Sequence, residues 1–206
     1  MTEEEARLWI REHFGVPRET LLDRYAEVLC EEAGRQNLIS ASTLPQLWAR
    51  HFVDSAQLLL FVESQGPGSW IDIGAGAGLP GLVIAALVDR PMILVEPRAK
   101  RVEFLRHAVE VLGLSHVEVV PSRIETFHPG DPAAYVSARA VTDLPALLSA
   151  AQHCTDSSTI WLLPKGRTAQ SEVEAARSAW QGSFHVEPSI TQPDSGIVIA
   201  RKVRRK

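Results

Sequence analysis

The sequence predicts an α/β fold, a doubly wound and mostly parallel sheet, preceded by a helical N-terminal segment. Three observations predict it. From Ser69 onward, short apolar runs alternate with helical stretches, the pattern of successive βαβ units. The apolar run Trp70-Ile71-Asp72-Ile73 turns through Gly74, Gly76, Gly78 and Gly81 into a second apolar stretch. Such a glycine-rich passage from strand to helix cradles nucleotide-like ligands. Before Ser69, by contrast, apolar residues recur only at helical spacing.

The elements follow in order. Leu8, Trp9, Ile10 and Phe14 cluster in a first helix that Pro17 is expected to break. Leu21, Leu22, Tyr25, Val28 and Leu29 mark a second helix, which Gly34 weakens or ends. A third is expected over residues 44–61, with Leu47, Trp48, Phe52, Ser55 and Leu58 on one side. Gln65-Gly66-Pro67-Gly68 reads as a turn and separates a helical cap (1–65) from the core (66–206). Strands are expected at 70–73, 92–95, 117–120, 135–137, 160–163, 184–186 and 197–200, and helices at 79–88, 99–112, 144–154 and 169–180. No helix separates the last two strands, so they read as an antiparallel hairpin. The chain contains no internal repeat and no low-complexity segment.

The 206 residues suit one domain with a single substantial core. Cys30 and Cys154 lack ligand spacing, so neither a disulfide framework nor a structural metal is expected. The acidic start Met1-Thr2-Glu3-Glu4-Glu5 is unlike a secretory signal. The longest apolar run, 82–88, is far short of the roughly 20 residues that span a bilayer. A soluble, cytoplasmic monomer without membrane contact is the expectation. The net charge of −4 is unevenly spread: Arg201, Lys202, Arg204, Arg205 and Lys206 form a tail without an acid, which leaves 16 basic against 25 acidic residues elsewhere. Such a tail can grip phosphate or remain a solvated end.

Two cofactors compete for the glycine corner. Gly76-x-Gly78-x-x-Gly81 matches the dinucleotide fingerprint, and Glu96 stands 20 residues beyond Gly76. Three features weigh against a dinucleotide. Asp72, expected to point toward the ligand, would repel a pyrophosphate. Pro80 removes an N–H donor where a pyrophosphate needs one. Little chain remains for a hydride-acceptor domain. An acid followed by alternating glycines, with a second acid on the next strand, suits S-adenosyl-L-methionine, with Glu96 accepting from the ribose hydroxyls.

The block Asp72-Ile73-Gly74-Ala75-Gly76-Ala77-Gly78-Leu79-Pro80-Gly81 resembles that of the RsmG (GidB) family, bacterial small-subunit rRNA guanine-N7 methyltransferases. Further matches run in order along residues 37–166. They are Asn37-Leu38-Ile39-Ser40, Arg50-His51-Phe52-Val53-Asp54-Ser55, Lys100-Arg101-Val102-Glu103-Phe104-Leu105, Ser122-Arg123-Ile124-Glu125, Ser137-Ala138-Arg139-Ala140 and Leu163-Pro164-Lys165-Gly166. The resemblance implies a class I SAM-dependent methyltransferase fold, Rossmann-like with a seven-stranded, mostly parallel sheet. It implies SAM contacts at Gly74, Leu79, Ile124, Glu125 and Arg139, the last where methyl donor and base meet. Its substrate would be 16S rRNA or the small ribosomal subunit, methylated at N7 of guanine 527. Two positions depart from the family pattern: Glu96 replaces the usual Asp, and Ser-Ala-Arg-Ala-Val surrounds Arg139.

The residues agree with such chemistry. Guanine N7 has an exposed lone pair and no proton to lose, so in-line positioning suffices and no general base is expected. Neither cysteine lies in a context suited to cytosine C5 methylation, and no Asn/Asp-Pro-Pro-aromatic loop for exocyclic amines follows the fourth strand. Arg139 is the expected positioning residue. Lys165, Arg167 and the basic tail are expected RNA contacts, and His51 and Asp54 are expected to bond across the cap–core junction. The alternatives are another methyl acceptor, or a non-catalytic SAM- and RNA-binding assembly protein.

Overall fold

Thr2 starts the first helix, α1 (Glu3–Phe14). Its hydroxyl accepts from the Glu5 N–H, and the Glu5 carboxylate accepts from the Thr2 N–H, a reciprocal cap. The helix ends at Gly15, not at Pro17: Gly15 has φ +83°, which glycine adopts without penalty. Pro17 instead lies in the first turn of α2 (Val16–Ala33), where its missing N–H has no helical partner to lose. The computed structural model describes residues 1–62 and 68–206. The expected turn residues Gln65, Gly66 and Pro67, and with them the cap–core boundary, lie outside the described residues.

The expected helix over 44–61 is a chain of tighter and looser turns. A 3-10 turn (Leu44–Gln46) leads to a π-helix (Trp48–Val53), one α-helical turn, α3 (Asp54–Ala56), and a 3-10 stretch (Gln57–Phe61). Glu3 of α1 accepts from the N–H groups of Trp48 and Ala49 at 2.9 and 2.8 Å. The π-helix start is thereby fixed to α1, and Arg50, His51 and Asp54 follow directly.

Seven strands form one sheet: β1 (Trp70–Ile73), β2 (Met92–Val95), β3 (Val117–Val120), β4 (Tyr135–Ala138), β5 (Ile160–Lys165), β6 (Trp180–Pro188) and β7 (Gly196–Arg205). Their order is β3-β2-β1-β4-β5-β7-β6. Neighbours among the first five run parallel, and β7 runs antiparallel to both β5 and β6. The closing hairpin is confirmed, and its strands are longer than expected. The remaining helices are α4 (Gly81–Leu87), α5 (Ala99–Leu112), α6 (Leu144–Ala151) and α7 (Ala169–Ala179).

The two-residue period of the strands divides the core. Trp70, Met92, Leu94, Tyr135 and Leu162 face the cap, α4 and α5. Ile71, Ile73, Val136, Trp161 and Leu163 face α6 and α7. Arg18 and Arg24 of α2 tie the cap to this first layer by donating to the carbonyls of Ala86 and Val111 at 3.1 and 2.6 Å. Among the described residues no helix is long and apolar enough to cross a membrane.

Candidate active site

The glycine loop leaves β1 where its neighbours β2 and β4 lead to opposite halves of the sheet, the switch point at which such folds bind ligands. Buried groups hold it from beneath. Asp72 is 1% exposed; its carboxylate accepts from the Gly81 N–H at 3.0 Å and from the Ser137 hydroxyl at 2.6 Å. Ser137 in turn accepts from the Trp70 indole N–H at 2.9 Å. Burial outweighs these bonds and pushes the Asp72 carboxyl up to about 7. Glu96 is also buried, and accepts from the N–H groups of Gly76 and Arg98, both at 2.9 Å. From the cap, the Tyr25 hydroxyl donates to the Ala77 carbonyl, and burial raises the Tyr25 pKa.

The glycines divide into two roles. A Cβ on Gly78 would strike Leu82 and lie 2.7 Å from the Tyr25 hydroxyl; one on Gly81 would strike Leu94 and lie 2.7 Å from Asp72 Oδ2. These two exist for packing. A Cβ on Gly76 would meet only Arg101 Nη1 at 3.5 Å and the Gly74 carbonyl at 3.6 Å, so its outer side is bounded by a movable side chain. On Gly74 it would meet Val141 at 2.8 Å. Gly74 is half-buried and Gly76 buried, and their left-handed φ of +65° and +58° fits a ligand that needs close main-chain approach. Arg101 also lies 4.0 Å from Glu96 Oε2.

Beside this loop, at the same edge of the sheet, opens a cleft of about 470 Å³. Five stretches line it: Arg50, His51 and Asp54 from the cap, 139–142 after β4, 164–166 at the end of β5, Thr168 and Glu172 at the start of α7, and the β6–β7 connection. Arg139 joins them. Its guanidinium lies 3.3 Å from Asp54 Oδ2 and donates to His51 Nδ1 at 3.3 Å. Arginine has no acceptor, so Nδ1 is unprotonated and the His51 proton sits on Nε2, 2.9 Å from Thr43 Oγ1. Burial, then the charges of Arg139 and Arg50, push the His51 pKa down to about 4, so the ring is neutral at pH 7. Asp54 Oδ1 also accepts from Gln57 at 3.0 Å and Thr191 at 2.9 Å.

Several expectations need correction. Asp72 does not point toward the ligand; the strand period turns it under α4, where it fixes the loop. Gly78 faces the interior, as does the Leu79 side chain, which is 5% exposed in the core. Glu96 was expected to receive ribose hydroxyls; its oxygens already serve main-chain N–H groups, each keeping a further acceptor site. Lys165 is not a free RNA contact: its amine donates to Glu172 at 2.8 Å and to the Thr142 carbonyl at 2.6 Å, which holds the loop beside Arg139. Ile124 and Glu125 follow β3 on a 3-10 turn, Ile124 buried and Glu125 exposed. Arg167 is exposed and paired with Asp194 at 2.7 Å.

The tail residues Arg201, Lys202, Arg204 and Arg205 belong to β7 rather than to a loose end. Trp70, Tyr135, Ile160 and Arg201 align across the strands in one row, which is the sheet edge opposite the glycine loop. Lys206 lies beyond it, its amine donating to the Arg177 carbonyl. The tail and the cleft are thus not brought together. Among the described residues no cluster could hold a metal ion. The anticipated cap–core bonds of His51 and Asp54 are present. The site roles of Tyr25 and Thr191 were missed, because their partners are distant in sequence and no motif marks them.

Sheet order, glycine loop and flanking cleft define a class I methyltransferase fold. The glycopeptide N-methyltransferase MtfA, solved with S-adenosyl-L-methionine, shares it with TM-score 0.60 and 11% identity over 73% of this chain and 94% of that one. A mutant of MtNAS in complex with S-adenosylmethionine does so with TM-score 0.59 and 16% identity over 98% and 84%. The chain belongs to the GidB family, rRNA small subunit methyltransferase G, whose family model matches residues 18–196. A relative named ribosomal RNA small subunit methyltransferase G from Rhizorhabdus wittichii is 46% identical, covering 99% of this chain and 94% of that protein. One of the same name from Sphingopyxis alaskensis is 46% identical, covering 96% and 85%.

Proposed function

We propose that the protein transfers a methyl group from S-adenosyl-L-methionine to N7 of one guanine in 16S rRNA, guanine 527 in the family's substrate. One observation carries the choice of acceptor. The titratable groups of the cleft beside the glycine loop are already engaged. Asp54 serves Arg139, Gln57 and Thr191. Glu172 serves Lys165, Thr168 and the Leu144 N–H. His51 has its one basic nitrogen on Arg139. An acceptor that must lose a proton would have to draw one of these groups away from its partners. Guanine N7 loses none.

Gly74 and Gly76 would hold the donor by their main chain, with Glu96, Ile124 and Glu125 on the side of ribose and adenine. S-adenosyl-L-methionine, once bound, would supply an electrophilic methyl carbon on its sulfonium, with the thioether as leaving group. The chain's own part is positioning. Arg139 donates to guanine O6, the acceptor next to N7 on the same base edge, while Asp54 and His51 fix the plane of its guanidinium. Holding two reactants in line is worth up to ~7–11 kcal/mol of barrier, so no acid or base is required. The family name and the relatives' names support rRNA as substrate.

Calorimetric titration with S-adenosyl-L-methionine and with NAD should give binding of the first alone. Incubation with methyl-labelled donor and 16S rRNA, free and in small subunits, should label the RNA. Absence of label in every RNA form would overturn the proposal.

A further inference from the structure

The opposite edge of the sheet carries a second basic feature. β6 and β7 are not in simple register there: Gln181 faces Arg204 and Ser183 faces Arg201, so Lys202 and Val203 together oppose Gly182. This is a β-bulge, a device that re-aims side chains and disrupts the ladder locally. Its first residue, Lys202, has φ +52°, the left-handed conformation that glycine normally takes at this position. Gly182 is required opposite it, because a Cβ there would lie 2.8 Å from the Arg201 carbonyl. A strained, exposed lysine where glycine would relax the chain points to a use for its side chain.

Lys202 lines a groove of about 450 Å³ together with Arg204, Gln181, Ser183 and Ser157. Two cations and three hydrogen-bonding side chains suit a phosphate. Arg204 donates to Gln181 Oε1 through Nε at 3.1 Å, which uses one of the guanidinium's five N–H donors. The acid next to Ser157, Asp156, turns its Oδ1 into its own turn, accepting from the Ser158 and Thr159 N–H groups. The rest of the chain is acidic on balance, 16 basic against 25 acidic residues, so a polyanion is drawn to few places on this protein. The groove and the cleft lie at opposite ends of β5, roughly 17 Å apart along the strand direction.

We propose that the Lys202–Arg204 bulge is a second rRNA contact, which grips a backbone phosphate of the substrate at the sheet edge remote from methyl transfer. The proposal rests on 16S rRNA being the substrate. It supplies affinity and orientation, with no base readout, as phosphate contacts do.

The test measures binding of an unmodified 16S rRNA transcript to the full chain from about 50 to about 200 mM salt, without methyl donor. Lys202→Gly and Arg204→Gln should each weaken binding and reduce the magnitude of the salt slope by about 0.7–0.9. Lys202→Gly should also raise the melting temperature, because it relieves the left-handed strain. Arg106→Gln, an equal charge loss on the exposed side of α5, should do neither. Equal weakening by Arg106→Gln, or unaltered rRNA binding in both bulge variants, overturns the proposal. A Lys202→Gly protein that loses stability assigns the lysine a structural role and also overturns it. Because binding is read without turnover, an unaltered protein that binds the transcript but fails to methylate it refutes the proposed reaction and leaves this contact to be decided by its own slopes.

Discussion

The glycine loop and the adjoining cleft share one sheet edge but are built differently. The loop is a local object: Asp72, Gly76, Gly81 and Glu96 lie within 25 residues and satisfy one another through buried bonds. The cleft is assembled from residues as far apart as Asp54, Arg139 and Thr191. A donor common to many methyltransferases can be held by a short, self-contained motif. An acceptor particular to one family is met by a surface that exists only after the cap has docked.

The two regions respond oppositely to pH. Asp72 binds its proton more tightly in the folded chain, at about 7 against an ordinary 3.8. The stability this contributes is present below pH 3.8 and is lost as pH rises to about 7, on the order of 4 kcal/mol. His51 is shifted the other way, from 6.5 to about 4, so its contribution is lost as pH falls through that interval. Urea unfolding of Asp72→Asn should show stability rising with pH between about 4 and 6.5, whereas His51→Gln should show it falling between about 4 and 7. Like slopes in both variants would break the contrast.

Next in size is a pair of glycine substitutions. Gly81→Ala overpacks the buried side of the loop against Leu94 and Asp72 and should cost about 3 kcal/mol of stability, read by denaturant unfolding. Gly76→Ala should cost about 1–2 kcal/mol through its left-handed φ, less than Gly81→Ala, and should abolish binding of S-adenosyl-L-methionine, because its side chain enters the ligand's space. In the cleft, Arg139→Gln should lower kcat/KM for rRNA about 100-fold, as misplacement of a reactant does. Tyr25→Phe joins the two regions. Loss of its bond to Ala77 should cost about 1 kcal/mol and weaken the donor several-fold, with little change in KM for rRNA.

This contrast also explains what could be read from sequence. The first three strands and α5 were placed to the residue, because an unbroken apolar run or a 3.6-residue period sets each of them. The loop was recognisable from its glycines. Its inner half was misassigned, because glycine spacing does not reveal which glycine faces a ligand and which faces Leu82 or Leu94. The same limit applied to Asp72: only the register with Ser137 shows that the carboxylate turns inward. The π-helix at Trp48–Val53 could not be foreseen, since it depends on Glu3 of another helix capping its start. Nor could the fate of the tail, whose charges suggested a loose end but whose backbone completes β7.

Chemical mapping of the methyl group tests the central claim most directly. 16S rRNA treated with this protein and S-adenosyl-L-methionine, then reduced with borohydride and cleaved with aniline, should break at a single guanine, as an N7-methylated base does. Methylated rRNA that resists this cleavage, or breaks at many guanines, would contradict a cleft that positions one N7.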